Sequence, residues 1–203
     1  MKVFIGIIVA AVVIIGGVFL LSPKAPENVG QAVISDRTET GTTTSDGTLE
    51  NRPIISLTSF GFVGYGPGKS HTGSFGTYDV ANLRASEEGV PTSGSLTIYV
   101  DSITTDNETL TKHLKEKKEF FNSATYPTIN FALSTITDKG AGTFEAAGNL
   151  TVKGVTKAIA FPVQAKEDKT FTSEFRVDMT QFGFGAPGVV DNEVLIKFAG
   201  SIL

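Results

Sequence analysis

The sequence predicts an all-β domain of about eight antiparallel strands with a single α-helix, placed behind an apolar N-terminal segment. Three observations carry this reading. Apolar and polar residues alternate with period two in stretch after stretch beyond residue 54. Only one stretch has helical spacing, and one long uncharged run precedes everything else.

The first element is that run, VFIGIIVAAVVIIGGVFLL at residues 3–21. At about 1.5 Å per residue it reaches roughly 28 Å, close to the hydrocarbon thickness of a bilayer. Lys2 precedes it, so the positive-inside bias directs the remaining chain to the extracytoplasmic side. The following SPKAPE has no small-x-small cleavage site, and residues 1–22 are therefore expected to stay as a transmembrane signal-anchor; a cleaved signal peptide is the competing reading. Residues 23–52 are rich in Thr, Ser, Gly and Asp, as in DRTETGTTTSDGT, with no apolar periodicity. Such a segment has little to bury, so it reads as a flexible linker, and the folded domain is expected over residues 53–203.

Within that domain the alternation sets the strands. GSLTIYVDS puts Leu96, Ile98 and Val100 on one face, and TINFALST does the same with Ile129, Phe131 and Leu133. IAFPVQA aligns Ile159, Phe161 and Val163, while TFTSEFRVDM aligns Phe171, Phe175, Val177 and Met179. The last strand offers Val194, Ile196, Phe198 and Ile202. Stretches 54–65, 71–85 and 142–152 bring the count to about eight, and Gly, Pro and Asp clusters separate them. The helix is expected at residues 107–121, with Thr105 and Glu108 as its capping box and Leu110, Leu114 and Phe121 on one face. Eight such strands make either a sandwich or a closed barrel. A barrel of that size holds its own side chains or one small ligand. The chain has 15 Phe and no Trp. An interior rich in Phe suits either an apolar guest or a solid aromatic core, and periodicity does not separate the two.

Composition excludes several functions. The net charge of −4 provides no basic footprint for nucleic acid. Without cysteine, thiol catalysis, disulfides and cysteine lipidation are absent. The two histidines, His71 and His113, have no partner at metal-ligand spacing, so no metal is expected. His113 is expected as a hydrogen-bonded residue where the helix joins the barrel, and His71, beside a Gly-rich turn, at the barrel mouth. GFVGYGPGKS at residues 61–70 ends like a phosphate loop, but Val63 stands where that motif needs Gly and no helix follows, which leaves a hairpin turn. Lys112, Lys115, Lys117 and Lys118 alternate with Glu116 and Glu119 as a solvated helix face. Neither a nucleophile elbow nor a triad order appears, so the chain reads as non-enzymatic.

The order SITTDNETLTKHL, EFFNSATYPTINFALSTI and GNLTVKGVTKAIAFPVQA resembles the YceI-like family. The shared positions include His113-Leu114, Phe120-Phe121, Tyr126-Pro127, Phe131, Gly148, Leu150-Thr151 and Gly154-Val155-Thr156-Lys157, with SHTGSF upstream and FGFGAPGVVDNEVLIKF downstream. Two departures fall near the helix: Leu110-Thr111-Lys112 replaces an Arg-Asp pair before His-Leu, and Asn122 replaces Asp. The resemblance covers roughly residues 57–203. It implies an eight-stranded antiparallel lipocalin-like barrel that binds a polyisoprenoid or isoprenoid quinone in an apolar channel, on an exported protein. On that footing the channel is expected to be lined by Phe60, Phe62, Phe75, Leu96, Ile98, Val100, Phe121, Phe131, Leu133, Phe161, Phe175 and Phe198, with His71 at the mouth. No cofactor is expected beyond the bound lipid. The expected partners are an isoprenoid lipid, the membrane through the N-terminal helix, and a second copy in a homodimer. The alternative is a ligand-free extracytoplasmic adhesion or interaction domain with a packed Phe-rich core.

Overall fold

The computed structural model describes residues 23–36, 55–66, 68–85, 91–185 and 191–202, with backbone alone at 82–85 and 91–92. The apolar run at 3–21 lies outside the described residues; among those described, no helix is long and apolar enough to cross a membrane. In chain order the elements are β1 (Val33–Ser35), β2 (Ile55–Gly66), β3 (Lys69–Phe75), β4 (Tyr78–Ala85), β5 (Pro91–Tyr99), β6 (Ile103–Thr105), α1 (Glu108–Glu116), β7 (Thr128–Gly140), β8 (Thr143–Val152), β9 (Val155–Ala165), β10 (Thr170–Asp178) and β11 (Glu193–Ile202). One sheet holds all the strands, in the order β4-β5-β7-β8-β9-β10-β11-β2-β3-β6, with β1 added on β9.

Eleven strands replace the expected eight for identifiable reasons. β3 and β4 are one extended stretch bent at Gly76-Thr77, and β5 and β6 are one stretch interrupted by a 3-10 turn at Val100–Ser102. Bonds from Gly76 N to Ser102 O (3.2 Å) and from Tyr99 N to Thr77 O (3.1 Å) carry the pairing across both interruptions. The ends of the hydrogen-bonded path are therefore joined through the chain itself, and the sheet rolls up into a half-barrel. It does not close fully. The first half of β2 and β4 face each other without a ladder, bridged by the Tyr78 hydroxyl donating to Leu57 O at 3.0 Å.

The remaining extra strand corrects the linker assignment, since order begins well before Pro53. β9 and β10 pair only at Phe171–Ala165 and Thr172–Gln164 and then diverge. β1 enters that gap, antiparallel to β9 through Val33–Ala160, Ile34–Ile159 and Ser35–Ala158, and a parallel bridge joins Gln31 to Arg176 of β10. Ala32 N donates to Arg176 O (2.8 Å) and Arg176 N to Gly30 O (3.0 Å), while an ion pair joins Asp36 to Lys157. Ala25 and Ala32 are buried, and Ile34 packs on the core. Residues 23–36 thus form a strap that completes the wall. The Thr-, Ser- and Gly-rich run that sets the composition of residues 23–52 lies almost wholly after residue 36, and the strap before it buries little beyond Ala25, Ala32 and Ile34 and is held chiefly by backbone bonds.

Arg176 fastens the strap to the barrel. Its Nε donates to Val29 O (2.8 Å) and its guanidinium pairs with Glu193 at 2.7 Å, both side chains being about four-fifths buried. Arg176→Met keeps the aliphatic stem but leaves the Glu193 carboxylate and the Val29 carbonyl without this donor. The expected cost is about 2–3 kcal/mol. Limited proteolysis should then cut within residues 23–36 faster than in the wild type, while equal cutting would show that the strap holds without Arg176.

The helix is shorter than expected. Its N-cap is Asn107, whose side chain accepts from Leu110 N (2.9 Å), not a Thr105–Glu108 box. Thr105 instead joins Thr111 and Asn107 through its hydroxyl (2.8 Å to each) and ties β6 to α1. After Glu116 the backbone becomes extended at Lys117, and Phe121 N turns back to Leu114 O (3.1 Å). That turn directs Phe121 into the barrel. A continued helix would not place two adjacent rings on the same side.

Candidate functional site

The rolled sheet encloses a cavity of about 550 Å³, within the roughly 300–1,000 Å³ range of ligand pockets. Close-packed interiors leave few voids larger than a water molecule, so the Phe rings here do not fill the space between the walls. The period-two faces deliver the lining. Phe60 and Phe62 reach in from β2, Phe75 from β3, Leu96 and Ile98 from β5, and Phe131 and Leu133 from β7. Phe161, Phe175 and Phe198 come from β9, β10 and β11, and Phe121 follows α1. Val100 does not line the cavity. It sits in the 3-10 turn, where period two fails, and is 1% exposed in the solid core.

The rings form a connected lattice along the cavity. Phe161 stacks on Phe175 (centroids 4.5 Å apart) and lies near Phe131 (5.4 Å), while Phe60 stacks on Phe198 (5.9 Å). Phe75 meets Phe121 edge-on at 5.9 Å. Offset and edge-on contacts of this kind leave faces free toward the cavity.

The cavity runs the length of the barrel between two different ends. At the far end its lining is apolar apart from Ser95, whose hydroxyl is turned to Ala81 O (3.3 Å), and it reaches the surface beside Val80, 38% exposed at the open seam. At the helix end, Leu110, Leu114, Phe120 and Phe121 cover it, joined by Phe184. Phe184 was not foreseen. It lies at 4.8 Å from Phe121 and 6.5 Å from Phe120, held by Phe184 N donating to Met179 O (3.2 Å) after a left-handed turn at Gly183. Neither strand nor helix periodicity marks a ring presented by such a turn; the Phe-Gly-Phe-Gly run was its only trace.

The polar lining groups gather at this same end: Tyr65, His71, Thr180, Asp191 and Asn192. His71 lies among these lining residues. Its Nδ1 lies 2.6 Å from Asp106 Oδ1, and Thr72 N donates to the other carboxylate oxygen (3.2 Å). The His71 bond, aided by Thr72, holds the Asp106 carboxyl below its usual range against the opposing effect of desolvation. The ionised carboxylate carries no proton, so Nδ1 donates in this bond and Nε2 is turned away from Asp106. Burial raises the Tyr65 phenol above its ordinary value, and nearby Asp191 and Glu174 add to this while Lys197 offsets it. Lys153, at the same end, donates to Lys118 O (2.8 Å) and Gly183 O (2.7 Å) and lies over the Phe184 ring; burial lowers its pKa. His113, in contrast to expectation, is exposed on α1 with no side-chain hydrogen bond among the described residues. The Gly-Lys-Ser run forms the β2–β3 hairpin turn, Gly66 pairing with Lys69 and Gly68 left-handed at φ 77°.

An antiparallel half-barrel wrapped around an apolar cavity, capped by one helix, defines the structural class. The YceI-like domain model matches residues 55–202, and the chain belongs to the YceI-like family. The strap lies outside the matched residues. A UPF0312 protein of Vibrio cholerae is 29% identical over 135 residues, 60% of this chain and 67% of that protein. An Enterobacter UPF0312 protein is 38% identical over 95 residues, covering 47% of this chain and 45% of its own. Among solved structures, Burkholderia cenocepacia BcnA aligns with a TM-score of 0.61 at 23% identity, over 70% of this chain and 94% of its own. A polyisoprenoid binding domain from Saccharophagus degradans aligns with a TM-score of 0.54 at 16% identity, over 75% and 100%. At these identities the structures establish the shared fold alone.

Proposed function

We propose that this protein binds one long isoprenoid lipid, a polyisoprenoid or an isoprenoid quinone, and shields it from water without chemical conversion. The observation that carries the reading is the apolar cavity, whose lining is interrupted by polar groups almost solely at one end. Each buried CH₂ contributes about 0.8 kcal/mol, so a long chain needs few polar contacts for tight binding. The binding activity in the name of the Saccharophagus degradans domain supports the same ligand class. Residues 3–21 would tether the domain on the extracytoplasmic side of a membrane, as their length and the charge before them suggest.

Mass spectrometry of an organic extract of the purified protein should recover an isoprenoid lipid. Delipidated protein titrated with a long-chain isoprenoid quinone should gain stability with concentration, by about 2.7 kcal/mol at a hundred times the Kd. An unfolding midpoint indifferent to the quinone, with no lipid in the extract, would favour the interaction-domain alternative.

A further inference from the structure

We propose that the strap is a removable section of the wall, and that the lipid passes sideways into the cavity between β9 and β10 when the strap lifts. The inference rests on the lipid-binding reading above and adds the route of entry. β9 and β10 part after the pairs Phe171–Ala165 and Thr172–Gln164, with one more bond from Ser173 Oγ to Pro162 O at 2.6 Å. Beyond that point β1 stands between them, paired with β9 on one side and bridged to Arg176 of β10 on the other. One interposed strand holds its two neighbours about 9.5 Å apart, twice the ordinary spacing between strands.

Both lips of this gap carry side chains that line the cavity, Ile159 and Phe161 from β9 and Phe175 and Val177 from β10. Along the strap, Ala32 and Ile34 pack with the core while Val33 between them is 67% exposed. Two apolar side chains therefore close the slot from within. A slot that takes a strand also takes an extended hydrocarbon chain. It opens onto the helix half of the cavity, since β10 runs on from it into the turn that carries Phe184. The surface opening beside Val80 lies at the other end.

The strap is lightly held. It has three ladder pairs with β9, whereas β8–β9 has ten and β10–β11 has nine, so both lips stay in place without it. Its other ties are the two backbone bonds at Arg176, the Arg176 Nε bond to Val29 O and the Asp36–Lys157 ion pair. The Asp36 side chain is 89% exposed, and exposed pairs contribute little. Segments with few buried contacts open locally while the rest of the fold stays intact. The strap also begins just after the apolar run at 3–21, so the section that lifts is the one joined to the proposed membrane tether.

The chain has no cysteine, so an introduced pair can staple the strap without competing thiols. Val33 and Ala160 are direct partners, and paired Cα atoms in an antiparallel ladder lie about 4.5–5.5 Å apart, within the span of a disulfide. Full-length Val33→Cys/Ala160→Cys protein, delipidated in detergent, is mixed with a naphthoquinone carrying a geranylgeranyl chain, and native mass spectrometry follows uptake with time. The oxidised protein should load at least about tenfold more slowly than the same protein after reduction, and reach the same final occupancy. A control staple, Glu174→Cys/Lys197→Cys, joins β10 to β11 and should leave the rate unchanged. Arg176→Met, which loosens the strap, should load faster than the wild type. Equal rates for the oxidised and reduced strap variant overturn the inference and direct entry to the open seam or the ring cover. Equal slowing by the control staple overturns it too, because rigidity anywhere in the wall would then suffice. Absence of uptake by the wild type removes the lipid-binding reading itself, and this one with it.

Discussion

Gly148→Ala should destabilise the protein by about 3 kcal/mol, although it adds only one methyl group. A Cβ at this position would stand 2.2 Å from the Ala132 carbonyl oxygen and 2.9 Å from two ring atoms of Phe131. The oxygen is backbone in the neighbouring strand, where Leu133 pairs with Gly148, and β7 carries a register irregularity between Leu133 and Thr135. Neither neighbour can yield cheaply. Moving β7 disrupts its ladders with both β5 and β8, and moving the ring pushes Phe131 out of its contact with Phe161. Glycine in the middle of a strand marks just such a close approach. Denaturant unfolding of the variant measures the loss; a change below about 1 kcal/mol would mean that β7 and β8 can separate freely here, and that the ring position is not fixed by Gly148.

This position also shows what was legible in the sequence. Gly148 was visible as one residue of a recurrent pattern, but its reason, a Phe ring laid over a bare backbone, depends on a strand pairing that no local pattern reveals. The inward faces were legible because a half-buried strand must alternate: Leu96, Ile98, Phe131 and Phe161 all fall on the cavity side. Val100 was misplaced because the chain leaves the strand at Tyr99 and the alternation was continued one residue too far. The mouth was half legible. His71 could be placed beside a turn, but its partner Asp106 is 35 residues away and is brought to it by the β3–β6 pairing. The strap was illegible for a different reason. Its strand is three residues long, and what holds it is mostly backbone and Arg176, which local composition does not record.

Two phenylalanines separate a cavity wall from a packed core, and their replacement should have opposite consequences. Phe182 is fully buried in the 3-10 turn after β10 and is not part of the cavity lining. Phe182→Ala opens a hole among packed neighbours and should cost the full 3–5 kcal/mol of a core truncation, about as much in lipid-free as in lipid-bound protein. Phe161 also has little exposure to solvent, at 8%, and stacks on Phe175, yet one side of it faces the cavity. Atoms that border a void have fewer contacts to lose. Phe161→Ala should therefore cost the lipid-free protein only roughly 2 kcal/mol, while weakening retention of an isoprenoid quinone through the lost contact with its chain. The experiment is denaturant unfolding of delipidated wild type and both variants, paired with quinone titration. If Phe161→Ala costs as much as Phe182→Ala and no variant or wild type binds the quinone saturably, the rings are a core and the interaction-domain reading takes over. A ring that lines an occupied channel should instead separate the two measurements, with stability falling most in Phe182→Ala and lipid affinity most in Phe161→Ala.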